Sequence, residues 1–295
     1  MSPVETSQDF LKAREAEKRR ALEELDTLAA QGLTLARHVF FIPGWDGEEG
    51  QCWTSPYPKL LKGHAPVKSW LTRIVRNPAR VTFISYLTFT MKESKACEDF
   101  FEFAELLKGK IRQVIEPGEP MDLVGHSMGG LDAIAAITRG DDPLTGVVNC
   151  IAVGAPLQGF SYGKILKRLD QLLPLVHWDA HHHVQARNMD CDSAAIKAIN
   201  TPEIRRRLLE RIDAFYDLEG TQDIVVARNA RLRTDGCPKE LAQKVRHLQI
   251  GGATHTASTG LTQDPRTVLS LLKIIAGLPI QLPKGNRGFL VGAPN

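Results

Sequence analysis

The stretch Gly125-His126-Ser127-Met128-Gly129-Gly130 decides the fold because of what lies on either side of it. A short apolar run at 121–124 precedes it, and residues 128–138 have the composition of a helix. A nucleophilic serine is raised above a sheet on a tight turn between a strand and a helix. Glycines two positions before and after Ser127 remove the Cβ atoms that would collide in such a turn. The stretch therefore predicts a G-x-S-x-G nucleophile elbow.

Strand and helix patterns alternate on both sides of this elbow. Apolar runs that are typical of buried strands, with weaker ones after residue 213, lie at 37–42, 81–86, 121–124, 147–153, 214–218 and 245–250. Helical periodicity with one apolar face occupies 98–114 and 268–275. Strands that alternate with helices predict the α/β class, with a mainly parallel sheet that helices cover on both faces.

Two segments add helices to this alternation. Residues 8–31 form an amphipathic pattern that ends at Gly32 and predicts an N-terminal helix on the surface. Between 157 and 213 the strand pattern is missing and helical stripes replace it, which predicts a helical cap inserted into a single domain of residues 1–295. Arg205, Arg206 and Arg207 lie on one of these helices, and the pattern favours a solvated face over a phosphate site.

Composition and charge argue against a nucleic-acid partner, a membrane span, a disulfide framework and a zinc site. The chain has 295 residues, of which 43% are hydrophobic and 24% charged, and 37 basic against 34 acidic side chains leave a net charge of +3. This balance does not indicate a nucleic-acid partner. The sequence contains no apolar run long enough to span a bilayer, and its charge-rich first 28 residues lead us to expect a cytoplasmic protein. Five scattered cysteines suggest neither a disulfide framework nor a zinc site.

The sequence of the elbow resembles that of lipases and esterases of the α/β-hydrolase superfamily, and the resemblance covers most of residues 35–278. It implies the α/β-hydrolase fold with a helical cap. It also implies a catalytic triad in the chain order serine, acid, histidine, each on a loop after a strand. No cofactor and no metal ion are implied.

His255 is the base that the resemblance implies, because it follows the last predicted strand in a loop of small residues just before the final helix. There its imidazole could reach the Ser127 hydroxyl. The other histidines are weaker candidates. His247 lies within a strand, His126 belongs to the elbow, and the run at 181–183 lies in the cap.

Asp223 is the acid that the resemblance implies, since it follows the penultimate strand and could orient the histidine ring. Asp217 and Glu219 are its rivals. The oxyanion hole would use the backbone N–H of Met128 and a second donor from the loop after the first long strand. Trp45 is the expected second donor, although a proline at 43, where a histidine is common in the family, leaves Gly44 as an alternative.

A metal site at Asp179 and the histidine run 181–183 is considered and not favoured, because consecutive histidines point in different directions. The sequence thus predicts a serine hydrolase that cleaves small-molecule or lipid carboxylic esters through an acyl-enzyme. A thioesterase, amidase or acyltransferase of the same fold is the alternative, and a non-enzymic ligand-binding homologue is a further one. The charged N-terminal helix could also support a homodimer.

Overall fold

The computed structural model describes residues 7–44, 51–54, 65–86, 99–161, 180–223, 225–226, 231–255 and 260–280. Within these ranges six strands form one sheet, and every neighbouring pair is parallel. The strands are β1 (His38–Ile42), β2 (Val81–Phe83), β3 (Met121–His126), β4 (Val147–Val153), β5 (Ala214–Gly220) and β6 (Val245–Ile250). Their order across the sheet is β2-β1-β3-β4-β5-β6.

The helices of the described ranges lie between and around these strands. They are α1 (Ser7–Gln31), α2 (Gln51–Thr54), α3 (Val67–Ile74), α4 (Phe100–Arg112), α5 (Met128–Thr138), α6 (Ala180–Asn188), α7 (Ala194–Ile199), α8 (Pro202–Arg211), α9 (Lys239–Ala242) and α10 (Pro265–Ile275). None of them is long and apolar enough to cross a membrane.

Burial on both faces explains why the central strands are apolar runs without alternation. Every residue of β3 is buried. Leu123 packs into a core that includes residues of α4, α5 and α8, whereas Val124 packs into a second core with residues of α1, α3 and α10. The sheet is therefore covered by helices on both sides.

Side-chain caps fix where two of the covering helices begin. The Asp99 carboxylate accepts the backbone N–H groups of Phe101 and Glu102 at the start of α4. Asp264 accepts the N–H of Arg266 at the start of α10. Each carboxylate satisfies donors that the first helical turn leaves free and favourably meets the positive end of the helix dipole.

The strands lie where the sequence predicts them, with each end within three residues of the predicted one. Helix α3 was not predicted, although Val67, Trp70, Leu71 and Ile74 have helical spacing and form its buried face. In the predicted cap, residues 157–161 and 180–213 contain three helices and no strand beyond an isolated bridge. The predicted helical stripe at 165–176 lies outside the described residues.

One interpretation of this region is wrong. Arg205 does not lie on a solvated face, because it is only 4% exposed and its guanidinium pairs with Asp235 at 3.3 Å. Arg206 and Arg207 do lie at the surface of α8, where each pairs with a glutamate one helical turn away.

Candidate active site

The turn from β3 into α5 holds Ser127 in a strained backbone conformation. Ser127 has φ 53° and ψ −124°, and it is the only residue other than glycine with a positive φ among those the structure describes. Such a conformation costs on the order of 1–3 kcal/mol and persists only where the surroundings enforce it. The Ser127 N–H donates to the Val153 carbonyl at 2.9 Å, and the Ser127 carbonyl accepts the Gly130 N–H at 3.0 Å. The sheet and the helix thus hold the serine from both sides.

The glycines of the elbow are required by close backbone contacts. A Cβ on Gly125 would collide with the backbone of Gly129, and a Cβ on Gly129 would collide with the carbonyls of Ile42 and Pro43. Helix α5 can therefore approach β1 and β3 closely only because these positions lack side chains.

Three predicted residues from separate loops meet above this edge of the sheet. The Nε2 atom of His255 lies 3.0 Å from Ser127 Oγ, and its Nδ1 atom lies 2.8 Å from Asp223 Oδ2. Asp223 is 4% exposed and His255 is 7% exposed, whereas Ser127 is only half-buried. Ser127 is therefore partly exposed to solvent, while the pair behind it is shielded.

The Asp223 carboxylate keeps its charge in spite of this burial. Burial opposes ionisation, but the nearby His255 and the N–H groups of Val225 and Val226, both 3.0 Å from Asp223 Oδ1, outweigh it. The pKa of Asp223 consequently lies below its ordinary value. An ionised carboxylate can accept the Nδ1–H of His255 and leave Nε2 free to take a proton.

The alternative acids, Asp217 and Glu219, and the alternative histidine, His247, pair with residues other than His255 and Ser127. His247 lies on β6 with its Nδ1 atom 2.6 Å from Asp217 Oδ1, in a second carboxylate–histidine pair that contacts no described serine. Glu219 pairs with Arg231 at 2.8 Å. Neither acid contacts His255.

His126 lies behind His255 and does not face the serine hydroxyl. Its Nε2 atom is 3.3 Å from the His255 carbonyl oxygen, and the two rings lie 5.0 Å apart. Burial, followed by the repulsion of a charged His255, lowers the pKa of His126 to about 3. His126 is thus a neutral packing neighbour at ordinary pH.

Of the two predicted donors of the oxyanion hole, the structure describes Met128 but not Trp45. Met128 is the first residue of α5, so the helix supplies no partner for its N–H. Trp45 lies outside the described residues. Gly44 is so close to the elbow that a Cβ there would lie 2.9 Å from Ser127 Cβ and 3.1 Å from His126 Nδ1. The chain after β1 therefore passes directly beside the serine.

Sequence reasoning missed the role of Gly154, which follows β4. Gly154 has φ 57°, and a Cβ on it would lie 3.3 Å from both Asp223 Oδ2 and His255 Nδ1 and 2.9 Å from Leu261 Cδ1. Its place directly after a strand in the Gly154-Ala155-Pro156 turn was the available signal. The Asp223–His255 pair thus lies against a position where an added Cβ would make tight contacts.

Possible metal ligands lie away from these residues. Asp190, Cys191 and Asp192 form one group at the surface after α6, and exposed acidic groups of this kind are common without a metal ion. The side chains of the histidine run 181–183 and Asp179 lie outside the described residues. The four cysteines that the structure describes are all free.

Three solved structures are similar to this chain at low sequence identity. A phospholipase from Legionella pneumophila gives a TM-score of 0.52 at 11% identity, over 81% of this chain and 58% of that one. Lipase B from Aspergillus fumigatus gives 0.51 at 13% identity, over 80% and 51%. A carboxylesterase from Nitrososphaera gargenis gives 0.50 at 13% identity, over 82% and 92%. No family model matches the sequence, and no curated protein matches it. The shared architecture and the single parallel sheet confirm the predicted fold: the chain has the α/β-hydrolase fold.

Proposed function

We propose that the protein is a serine hydrolase that cleaves carboxylic esters through an acyl-enzyme. The observation that carries the proposal is the unbroken row of hydrogen-bond distances from Ser127 Oγ through His255 to Asp223, 3.0 Å and 2.8 Å long. The row begins at Ser127, the one residue other than glycine with a positive φ in the described chain. A nucleophile within reach of a base that a third group orients is the arrangement that nucleophilic catalysis requires.

Acylation begins when Ser127 Oγ attacks the carbonyl carbon of the ester while its proton moves to His255 Nε2. The carbonyl oxygen becomes an oxyanion, which accepts hydrogen bonds from the N–H of Met128 and from Trp45 or Gly44. When the tetrahedral intermediate collapses, the bond to the leaving oxygen breaks and His255 returns its proton to that oxygen. The first product is an alcohol, and the acyl group stays on Ser127.

Deacylation repeats these steps with water. His255 Nε2 takes a proton from the water, whose oxygen attacks the acyl carbon, and the second tetrahedral intermediate collapses as the proton passes to Ser127 Oγ. The acid is released and the free serine is regenerated. Asp223 keeps the imidazole in the tautomer that exposes Nε2 and stabilises the imidazolium cation in both steps. The side chains of the chain suffice for this sequence of proton transfers.

The proposed substrate class is small-molecule or lipid carboxylic esters. The lipase, the carboxylesterase and the phospholipase named above all act on esters according to their names, which supports this choice. A thioesterase, amidase or acyltransferase would use the same three residues and differ in its leaving or accepting group. The cap between 157 and 213 remains a prediction, and its role would be to shape the acyl pocket.

The test is hydrolysis of a series of p-nitrophenyl esters, from acetate to laurate, by the wild type and by Ser127→Ala and His255→Ala. Each variant should lose kcat by a factor on the order of 10⁶, because the nucleophile and base act as one unit. His247→Ala is the matched control, since His247 also pairs with a buried aspartate. It should retain wild-type kcat.

Labelling with an organophosphonate provides a second readout that does not depend on the choice of ester. Only an activated serine reacts quickly, so mass spectrometry should locate the adduct on Ser127 in the wild type and find none in His255→Ala within the same time. If the folded wild type is neither labelled nor active on esters, the proposal fails and a ligand-binding role replaces it. If it is labelled but cleaves only thioesters or amides, the substrate class is wrong.

The cytoplasmic location and the homodimer remain predictions from the sequence. Helix α1 packs on α3 and α10, so part of its surface is already buried within one chain. Light scattering tests the dimer, and a mass of 32.6 kDa would refute it.

A further inference from the structure

Arg266 occupies an unusual position for a cation. It lies in the first turn of α10, where the helix dipole is positive and disfavours a positive charge. Its side chain is nevertheless only 11% exposed. A buried guanidinium in such a place needs partners that compensate both the burial and the dipole.

The partners of Arg266 come from three separate segments. Its Nη2 atom donates to the Gly251 carbonyl at 2.7 Å and to Asp264 Oδ2 at 2.8 Å. Its Nε atom donates to Asp264 Oδ1 at 2.9 Å, and its Nη1 atom donates to Glu17 Oε2 of α1 at 3.1 Å. The guanidinium therefore connects α1 and α10 to the loop that follows β6.

This loop, residues 251–255, ends at His255 and is held on its other side by the loop that carries Asp223. The Gly252 N–H donates to Thr221 Oγ1 at 2.7 Å, and the Gln222 N–H donates to the Ala253 carbonyl at 3.0 Å. The loop is thus fixed between the acid loop on one side and Arg266 on the other.

Helix α1 also contacts this loop directly. Gly252 has φ 70°, and the guanidinium of Arg14 occupies the space that a Cβ on Gly252 would need. Arg14 and Glu17 lie three residues apart on α1, so one face of the helix supplies both contacts. The first half of α1 therefore covers the loop of the base.

We propose that Arg266, held by Glu17 of α1, is a positioning residue for His255. This inference rests on the proposed function. The Arg266 guanidinium fixes the Gly251 carbonyl, and the loop then holds His255 Nε2 within 3.0 Å of Ser127 Oγ. Without Glu17, the guanidinium loses the partner that aligns it from α1, and the loop can relax away from the serine.

The same two helices provide a matched control. Glu24 of α1 pairs with Lys273 of α10 at 2.5 Å, seven residues beyond Arg266 and about 10 Å along the helix. Its loss removes an ion pair between α1 and α10 without touching residues 251–255. Glu17→Ala and Glu24→Ala should therefore cost similar stability and differ in their effect on the base.

The experiment compares kcat and KM of the wild type, Glu17→Ala, Glu17→Gln and Glu24→Ala, with rates divided by active sites titrated with an organophosphonate. Glu17→Ala should lower kcat roughly tenfold with KM unchanged. A displacement of about 1 Å in a catalytic group costs on the order of 100-fold, and the expected shift of His255 is smaller than that. Glu17→Gln keeps an acceptor for Arg266 and should regain most of the loss. Glu24→Ala should match the wild type.

NMR of the ring nitrogens of His255, assigned by their loss in His255→Ala, gives a readout without substrate. Their signals should shift or broaden in Glu17→Ala and stay unchanged in Glu24→Ala. Equal kcat for both alanine variants, or equal spectra, would overturn the proposal. A wild type that cleaves no ester but shows the Glu17-dependent change in the spectrum would refute the proposed function and leave the positioning role intact.

Discussion

Substituting Gly154 by alanine tests whether the close contact beneath the acid–base pair matters for catalysis. The new Cβ would lie 3.3 Å from Asp223 Oδ2 and from His255 Nδ1, which is tighter than most real Cβ contacts, so these atoms must move by a few tenths of an ångström. A displacement of about 1 Å costs on the order of 100-fold in rate, so we expect kcat to fall about tenfold. KM should change little, because the atoms nearest to the new Cβ belong to Leu261, Asp223 and His255 and not to Ser127.

Gly277→Ala is the matched control for backbone strain. Gly277 has φ 68°, close to the 57° of Gly154, and its Cβ would meet nothing within 4 Å. A left-handed backbone costs an alanine about 1–2 kcal/mol in either place. Both variants should therefore lose stability in urea denaturation, with a larger loss for Gly154→Ala because its Cβ would also lie 2.9 Å from Leu261.

The assay is steady-state hydrolysis of the preferred p-nitrophenyl ester, with rates corrected for the folded fraction. If Gly154→Ala retains the kcat of Gly277→Ala, the pair tolerates the extra carbon and the reasoning from the contact distances is refuted. If kcat of both variants falls equally, strain alone explains the loss and the same conclusion follows.

Three further predictions concern ionisable side chains. The pKa of Asp223 lies below its ordinary value of 3.8, so its charge stabilises the fold above pH 3.8, and this contribution is lost as the pH falls through the lowered pKa. The free energies of unfolding of the wild type and Asp223→Asn should therefore converge only as the pH falls below about 5. Burial raises the pKa of Asp132 well above its ordinary value, so the contribution of its neutral form is lost as the pH rises. Asp132→Asn keeps an acceptor for the Tyr86 hydroxyl, which lies 2.9 Å from Asp132 Oδ2. The free energy of unfolding of this variant, measured in urea and compared with that of the wild type, should therefore increase from about pH 4 to pH 8. A difference that stays constant over this range would contradict the prediction. Burial lowers the pKa of His126 to about 3, so His126 should not set the acid limb of the profile of kcat/KM against pH. His126→Gln should therefore leave the midpoint of that limb in place. A shift of the midpoint by a full pH unit would contradict the assignment of His126 as neutral.

The sequence predicts most of the sheet because its central strands are buried on both faces. Continuous apolar runs such as 121–124 and 147–153 end at glycine turns, and the structure has strands there. The elbow follows the run at 121–124, whereas Asp223 and His255 follow the weaker strand patterns at 214–218 and 245–250. Their positions after strands, together with the family resemblance, led to the choice of Asp223 and His255 over Asp217 and His247.

Features that depend on tertiary contacts were not predicted. Helix α3 was overlooked because its four apolar residues occur in only eight positions, too short a stretch to stand out beside a strand. Arg205 looks solvated on a helix, and only the fold brings Asp235 over it. The contact of Arg266 with Glu17 joins residues 249 positions apart, and no local pattern indicates such a pair.

The order of the strands explains why a glycine lies next to the Asp223–His255 pair. Ser127 follows β3, whereas His255 follows β6, and β4 and β5 lie between these strands in the sheet. Neighbouring strands are about 4.8 Å apart, so the histidine side has to reach across roughly 14 Å to meet the serine. On the way it passes over the carboxyl end of β4, where Gly154 lies, and meets Asp223 after β5. A Cβ at the end of β4 would lie in this path, 3.3 Å from both Asp223 Oδ2 and His255 Nδ1, so the order β3-β4-β5-β6 favours the smallest residue there.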